Sequence, residues 1–226
     1  MISVLLLASL AAIVTFVCLK DERSLCFASI IWSSLVGVVA LMVAWPALVG
    51  DGVISTQLFN VDAFAALLII LVGFVQWTAT LVSSSYLREE LHEKIITFKQ
   101  ARLYHIMLQL FVLSMMLVLT ADAIGVMWIA LEATTLATTM LVAFYTREGS
   151  LEAAWKYIVL CSVGISLGLL GVLLVSYAAM QAGLGVESDA LSFTVLRDSA
   201  RFFPPSIIRW AFVFIFIGYG TKVGLV

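Results

Sequence analysis

The chain has 226 residues, 63% of them hydrophobic and only 12% charged, with a formal net charge of −2. A water-soluble fold carries about twice that charged share and could not hide so much apolar surface. The near-neutral balance gives no footprint for nucleic acid. The apolar runs are about 18–28 residues long, which suits spanning helices and not the ~10-residue alternating strands of a membrane barrel. The fold class is therefore all-α, a polytopic transmembrane helix bundle.

The first predicted helix runs from about Ile2 to Leu19 and ends at the charged turn Lys20-Asp21-Glu22-Arg23. It has neither a basic leader nor a small-residue cleavage site, so it reads as a retained helix. The second covers about Leu25 to Val49, with Trp45-Pro46 near its end, and a polar turn opens at Asp51-Gly52 and lasts to Asp62. The third covers Ala63 to Tyr86. The charged stretch from Leu87 to Arg102 is placed outside the hydrocarbon. The fourth helix runs from Leu103 to Thr120, and the very short turn at Asp122 makes it the antiparallel neighbour of the fifth, Ala123 to Tyr145. After Thr146 to Ser150 comes the sixth, Leu151 to Ala179. A mixed segment, Gln181 to Ser206, precedes the last apolar run, Ile207 to Val226. This gives one membrane domain of about seven spans, with no loop long enough for a soluble catalytic domain.

Basic residues sort the loops. Lys20 and Arg23, then Arg88, Lys94, Lys99 and Arg102, then Arg147 fall in the first, third and fifth loops; the second and fourth carry none. The positive-inside bias puts the odd loops in the cytoplasm and the N-terminus outside, in a cell inner (cytoplasmic) membrane surrounded by lipid.

Glu132 lies near the middle of the fifth predicted helix. A carboxylate at that depth costs roughly 2.5–3.5 kcal/mol on insertion scales, so it needs a partner, a water-filled cavity or a bound proton. Trp128, Glu132, Thr135 and Thr139 share one helical face, widened by Thr134 and Thr138. Those hydroxyls either pass protons beside the carboxylate or simply bond back to their own helix. Lys156 lies about 7 Å into the sixth helix and either snorkels to the surface or serves as a buried cation. Lys222 is too deep in the last run to snorkel back. Gly218, Gly220 and Gly224 around it predict a weakened helix broken at the charge. Gly164, Gly168 and Gly171 form a small-residue packing face. His105, at the start of the fourth helix, reads first as an interfacial histidine and second as a proton shuttle. Cys18, Cys26 and Cys161 are isolated and, with two histidines, argue against an iron–sulfur or haem site or a bound metal in this chain.

Three segments together resemble one family: Met127-Trp-Ile-Ala-Leu-Glu-Ala-Thr-Thr-Leu136, Ser150-Leu-Glu-Ala-Ala-Trp-Lys-Tyr-Ile158 and Gly218-Tyr-Gly-Thr-Lys-Val-Gly-Leu225. They look like the antiporter-like membrane subunits of respiratory complex I, Mrp antiporters and group 4 membrane-bound hydrogenases, nearest to the hydrogenase-4 F subunit. The resemblance implies a fold of about fourteen helices with two inverted repeats, of which this chain holds the N-terminal part, its last helix incomplete. It implies that Glu132 pairs with Lys222 and that Lys156 links the pair to the next proton site. It implies a proton- or sodium-translocating subunit of a multi-subunit redox-driven complex. Such a subunit is itself non-catalytic and holds no cofactor; iron–sulfur and possible nickel–iron centres belong to peripheral redox subunits, alongside other membrane partner subunits. Two further readings stay open: a stand-alone or Mrp-type cation/proton antiporter, and a scaffold whose buried charges only pair.

Overall fold

The computed structural model of the chain describes residues 2–50, 54–55, 59–184 and 191–224. The described elements are α1 (Ile2–Cys18), α2 (Glu22–Val49), a minimal hairpin of β1 (Ile54–Ser55) and β2 (Asn60–Val61), α3 (Ala63–His92), α4 (Phe98–Thr120), α5 (Ile124–Val142), α6 (Glu148–Gln181), α7 (Phe193–Ser199), a single 3₁₀ turn (Ala200–Phe202) and α8 (Pro205–Val223). Six of these, α2 to α6 and α8, are long and apolar enough to cross a bilayer; α1 is also apolar, with 17 residues. Together they match the expected spans closely, and the chain is a multi-pass helical membrane protein.

Side chains are distributed as membrane solvation requires. Large apolar residues such as Leu7, Phe27, Val82, Trp155 and Phe212 face outward, whereas Gln76, Thr80, His105, Gln109 and Thr135 are buried. The main apolar core joins α1, α2, α3 and α4 through Leu5, Val36, Ala40, Ile69, Val112 and Met116. The other half is α4 on α5, α5 on α6, and α6 on α8, the last being the most extensive helix pair.

Several expectations need correction. The charged stretch from Leu87 to Arg102 is mostly helix: α3 continues to His92, and α4 begins at Phe98 behind a capping box of Thr97 and Gln100. Only residues 93–97 separate them, because the cap satisfies the first amides of α4. The mixed segment after α6 contains the seven-residue α7, capped by Ser192. Asp51-Gly52 and the end of the chain, Leu225 and Val226, lie outside the described residues. The α4–α5 turn is held by Asp122, whose carboxylate accepts from the Ser192 and Thr194 hydroxyls and whose carbonyl accepts from the Phe193 amide at 2.7 Å.

At the opposite end, Tyr145 just beyond α5 donates to Glu90 Oε1 at 2.9 Å and lies 3.3 Å from the Tyr86 hydroxyl. The Tyr86 hydrogen bond, then desolvation and the Glu90 carboxylate, hold the Tyr145 hydroxyl well above the ordinary tyrosine range. The proton is bound more tightly in the folded state, so this contribution to stability is whole below about pH 10 and falls as pH rises from there. Tyr145→Phe is therefore expected to lower the thermal midpoint at neutral pH, and the gap to wild type should narrow above about pH 10. A gap that stays constant through strongly alkaline pH would count against this linkage.

Candidate ion-relay site between α5, α6 and α8

Glu132 sits on the α5 face that meets α6. Its Oε1 accepts from the Ser162 hydroxyl of α6 at 3.4 Å, and its Oε2 is buried without a hydrogen-bond partner. One turn before it, Trp128 Nε1 donates to the Ile165 carbonyl at 2.8 Å, and nearly two turns after it, Thr138 Oγ1 is 3.1 Å from the Tyr157 hydroxyl. These two bonds fix the α5–α6 register around the carboxylate. Neither Ser162 nor Tyr157 stood out in the sequence. Ser162 and Ser166, one turn apart in an apolar helix, are the signal that was there to be read.

Lys222 arrives from α8. Its Nζ donates to the Leu131 carbonyl at 3.2 Å and to the Thr135 hydroxyl. Those two acceptors flank Glu132 on the same turn of α5, so acid and base share one turn. The side chains are not in direct ion-pair contact: the ion pairs among the described residues are Lys156–Glu152 and Arg197–Asp198. The cation is held by backbone and hydroxyl oxygens, which leaves the carboxylate to Ser162.

The threonines divide between the two roles open to them. Thr135, Thr138 and Thr139 all bond back to carbonyls one turn earlier. Thr135 in addition accepts the Lys222 ammonium, so it takes part in the charge site while Thr139 is buried packing.

α8 runs unbroken through Gly218 and Gly220 from Pro205 to Val223 and ends at Gly224, whose φ of 80° is left-handed, so Lys222 stands in its last turn. Gly218 serves close approach. A Cβ on Gly218 would lie 2.3 Å from the Gly168 amide nitrogen and 2.8 Å from the Gly164 carbonyl oxygen. Gly171 likewise receives Ile215. The expected small-residue face of α6 is thus the seat of α8, and it sets the depth at which Lys222 meets α5.

Lys156 is not brought to this group. It forms an ion pair of 2.5 Å with Glu152, one turn back, and both side chains face outward, 73% and 65% exposed. It precedes Ser162 by six residues, about 9 Å along the axis. His105 lies two turns into α4, which starts at Phe98, and its imidazole is 2% exposed, packed against Phe16 and Tyr104. Among the described residues no cluster of three metal-ligating side chains occurs.

A half-buried carboxylate and an ammonium thus meet between helices of a multi-pass bundle. Residues 121–226, the part that carries Glu132, Lys156 and Lys222, match the NADH:quinone oxidoreductase/Mrp antiporter transmembrane family, and this part of the chain belongs to it. The chain is similar to the hydrogenase-4 component F homolog of Methylacidiphilum infernorum (isolate V4), 38% identical over 167 residues, which is 74% of this chain and 35% of the relative. It thus spans about a third of the curated relative it matches. Among solved structures it is similar to a chain of the membrane-bound sulfane sulfur reductase, an archaeal respiratory membrane complex, with a TM-score of 0.72 at 20% identity over 98% of this chain and 43% of that one. A chain of respiratory complex I from Thermus thermophilus with bound aureothin gives 0.69 at 18% identity over the same shares. At these identities the two structures establish the fold alone. The resemblance read from the three motifs holds.

Proposed function

We propose that the chain is the N-terminal part of an ion-translocating subunit in a redox-driven membrane complex of the hydrogenase-4 and complex I kind, with H⁺ the favoured ion over Na⁺. The observation that carries this reading is the shared turn of α5: Lys222 bound at Leu131 and Thr135, with the Glu132 carboxylate between them holding an unpaired oxygen. An ammonium in that position responds to the charge beside it. With Glu132 ionised the protonated lysine is favoured; when Glu132 is neutralised, desolvation dominates and the lysine gives up its proton. Ser162 and Thr135 donate and accept at the two charged groups. Lys156 would be the next acceptor, on the outward face of α6, where the remainder of the fold would cover it. Membrane partner subunits and peripheral redox subunits with iron–sulfur or nickel–iron centres would drive the charge changes. The inner membrane and an external N-terminus follow from the loop charges.

The test uses the full-length protein in its assembled complex, sealed in vesicles with an internal pH dye and supplied with electron donor. The dye should respond without sodium, and Lys222→Met should reduce the response about tenfold or more, some 1.4 kcal/mol of barrier. Wild-type rates in Lys222→Met would overturn the relay. Ion movement by the isolated subunit would favour the antiporter reading instead.

A further inference from the structure

The four-helix half of the bundle holds polar groups that neither Glu132 nor Lys222 touches. Gln76 on α3 donates from Nε2 to Gln109 Oε1 on α4 at 2.8 Å, and both side chains are buried. That bond leaves Gln76 Oε1, an acceptor, and Gln109 Nε2, a donor, buried without partners. One turn earlier on the same face of α4 is His105, 2% exposed, whose Nε2 is also buried and unpaired. Dry, each such atom carries the full desolvation penalty of a lost hydrogen bond. Buried polar groups that lack a protein partner are ordinarily met by ordered water.

His105 lines a small cavity between α2, α3 and α4 whose lining includes Glu22, Cys26, Leu87, Arg88 and Phe98. The free space, about 10 Å³ for the centre of a water molecule, takes one water. A wider cleft beside it shares Cys26 and Arg88 and adds Ser84, Glu89 and His92. The Ser29–Ser84 hydroxyl pair, 3.1 Å apart, is a further buried polar contact between α2 and α3. The groups around the imidazole are Phe16 from α1, Glu22 and Cys26 from α2, Arg88 from α3 and Tyr104 from its own helix. Glu22 and Arg88, of opposite charge, both line this cavity.

We propose that His105, Gln109 and Gln76 form a hydrated proton-binding site, entered by water from the Glu22–Arg88 end and separate from the α5–α8 charge site. The inner water accepts from Gln109 Nε2 and donates to Gln76 Oε1. A hydronium ion in the cavity passes its proton to His105 Nε2 and is left as a neutral water; no electron moves. The site stands whether or not Glu132 and Lys222 act as a relay.

Exchange of the imidazole C2 proton for deuterium, followed by mass spectrometry on the full-length protein in its assembled complex, reads both water access and protonation of one histidine. His92, outward-facing at the end of α3, is the internal reference. His105 is expected to exchange within about tenfold of His92 and with a sigmoidal pH dependence. The double variant Gln76→Leu, Gln109→Leu should slow His105 by about tenfold or more and leave His92 unchanged. A His105 that fails to exchange, or exchanges with a flat pH profile, overturns the proposal. So does a double variant that assembles and exchanges like wild type. If the double variant does not assemble, the wild-type profile decides alone.

Discussion

Glu132→Gln in the full-length, assembled protein is expected to lower donor-driven ion translocation by about tenfold or more while leaving assembly intact, since 1.4 kcal/mol at the transition state is enough for that loss. The substitution keeps the volume of the side chain and an oxygen for Ser162 to donate to, so the α5–α6 bonds of Trp128 and Thr138 persist. What it removes is the negative charge on the turn that holds Lys222. Without that charge the lysine is left to carbonyl and hydroxyl oxygens alone, and its proton affinity no longer has anything to switch it. Glu132→Asp retains the charge but withdraws it by a methylene, and is expected to give an intermediate rate. The measurement is internal pH in vesicles, with complex assembly checked by co-purification. Wild-type translocation in Glu132→Gln would leave the acid a structural role only.

The helices and the polar face of α5 were legible because hydropathy and 3.6-residue spacing are local. Glu132 announces itself by its cost in hydrocarbon, and Gly164, Gly168 and Gly171 by their spacing. What was not legible depends on pairs. Ser162 matters because α5 presents Glu132 to it, and no periodicity on α6 marks which serine that is. Gln76 and Gln109 lie on different helices, and only their meeting makes either notable. His105 looked interfacial because its helix seemed to start at Leu103, and the capping box that starts it at Phe98 lies in a charged stretch. Three glycines near Lys222 suggested a break by propensity; α8 ends only at the last of them, Gly224, and runs on through Gly218 and Gly220, where packing overrides a propensity of about 1 kcal/mol per glycine. Gly218 is there for contact with α6, a reason no single helix contains.

That contact sets the second large expectation: Gly218→Val should destabilise the protein by about 3 kcal/mol or more, the upper range of overpacking penalties. The obstacle is backbone. A Cβ at Gly218 meets the Gly168 nitrogen at 2.3 Å and its Cα at 2.5 Å, neither of which can rotate aside. The clash at Gly164 is with Thr221, whose Cβ at 2.8 Å is fixed by the backbone of α8, so Gly164→Ala should also destabilise, by less than Gly218→Val because it adds a single methyl. Gly125 in α5 has nothing within 4 Å of its would-be Cβ, and Gly125→Ala serves as the control that should be neutral or slightly stabilising. Unfolding of the three variants in detergent orders them directly, and a Gly218→Val protein as stable as Gly125→Ala would refute the packing account. The effect reaches function through geometry. Separating α8 from α6 moves Lys222 relative to Leu131 and Thr135, so any Gly218→Val protein that still assembles should lose translocation as Lys222→Met does, although its lysine is intact.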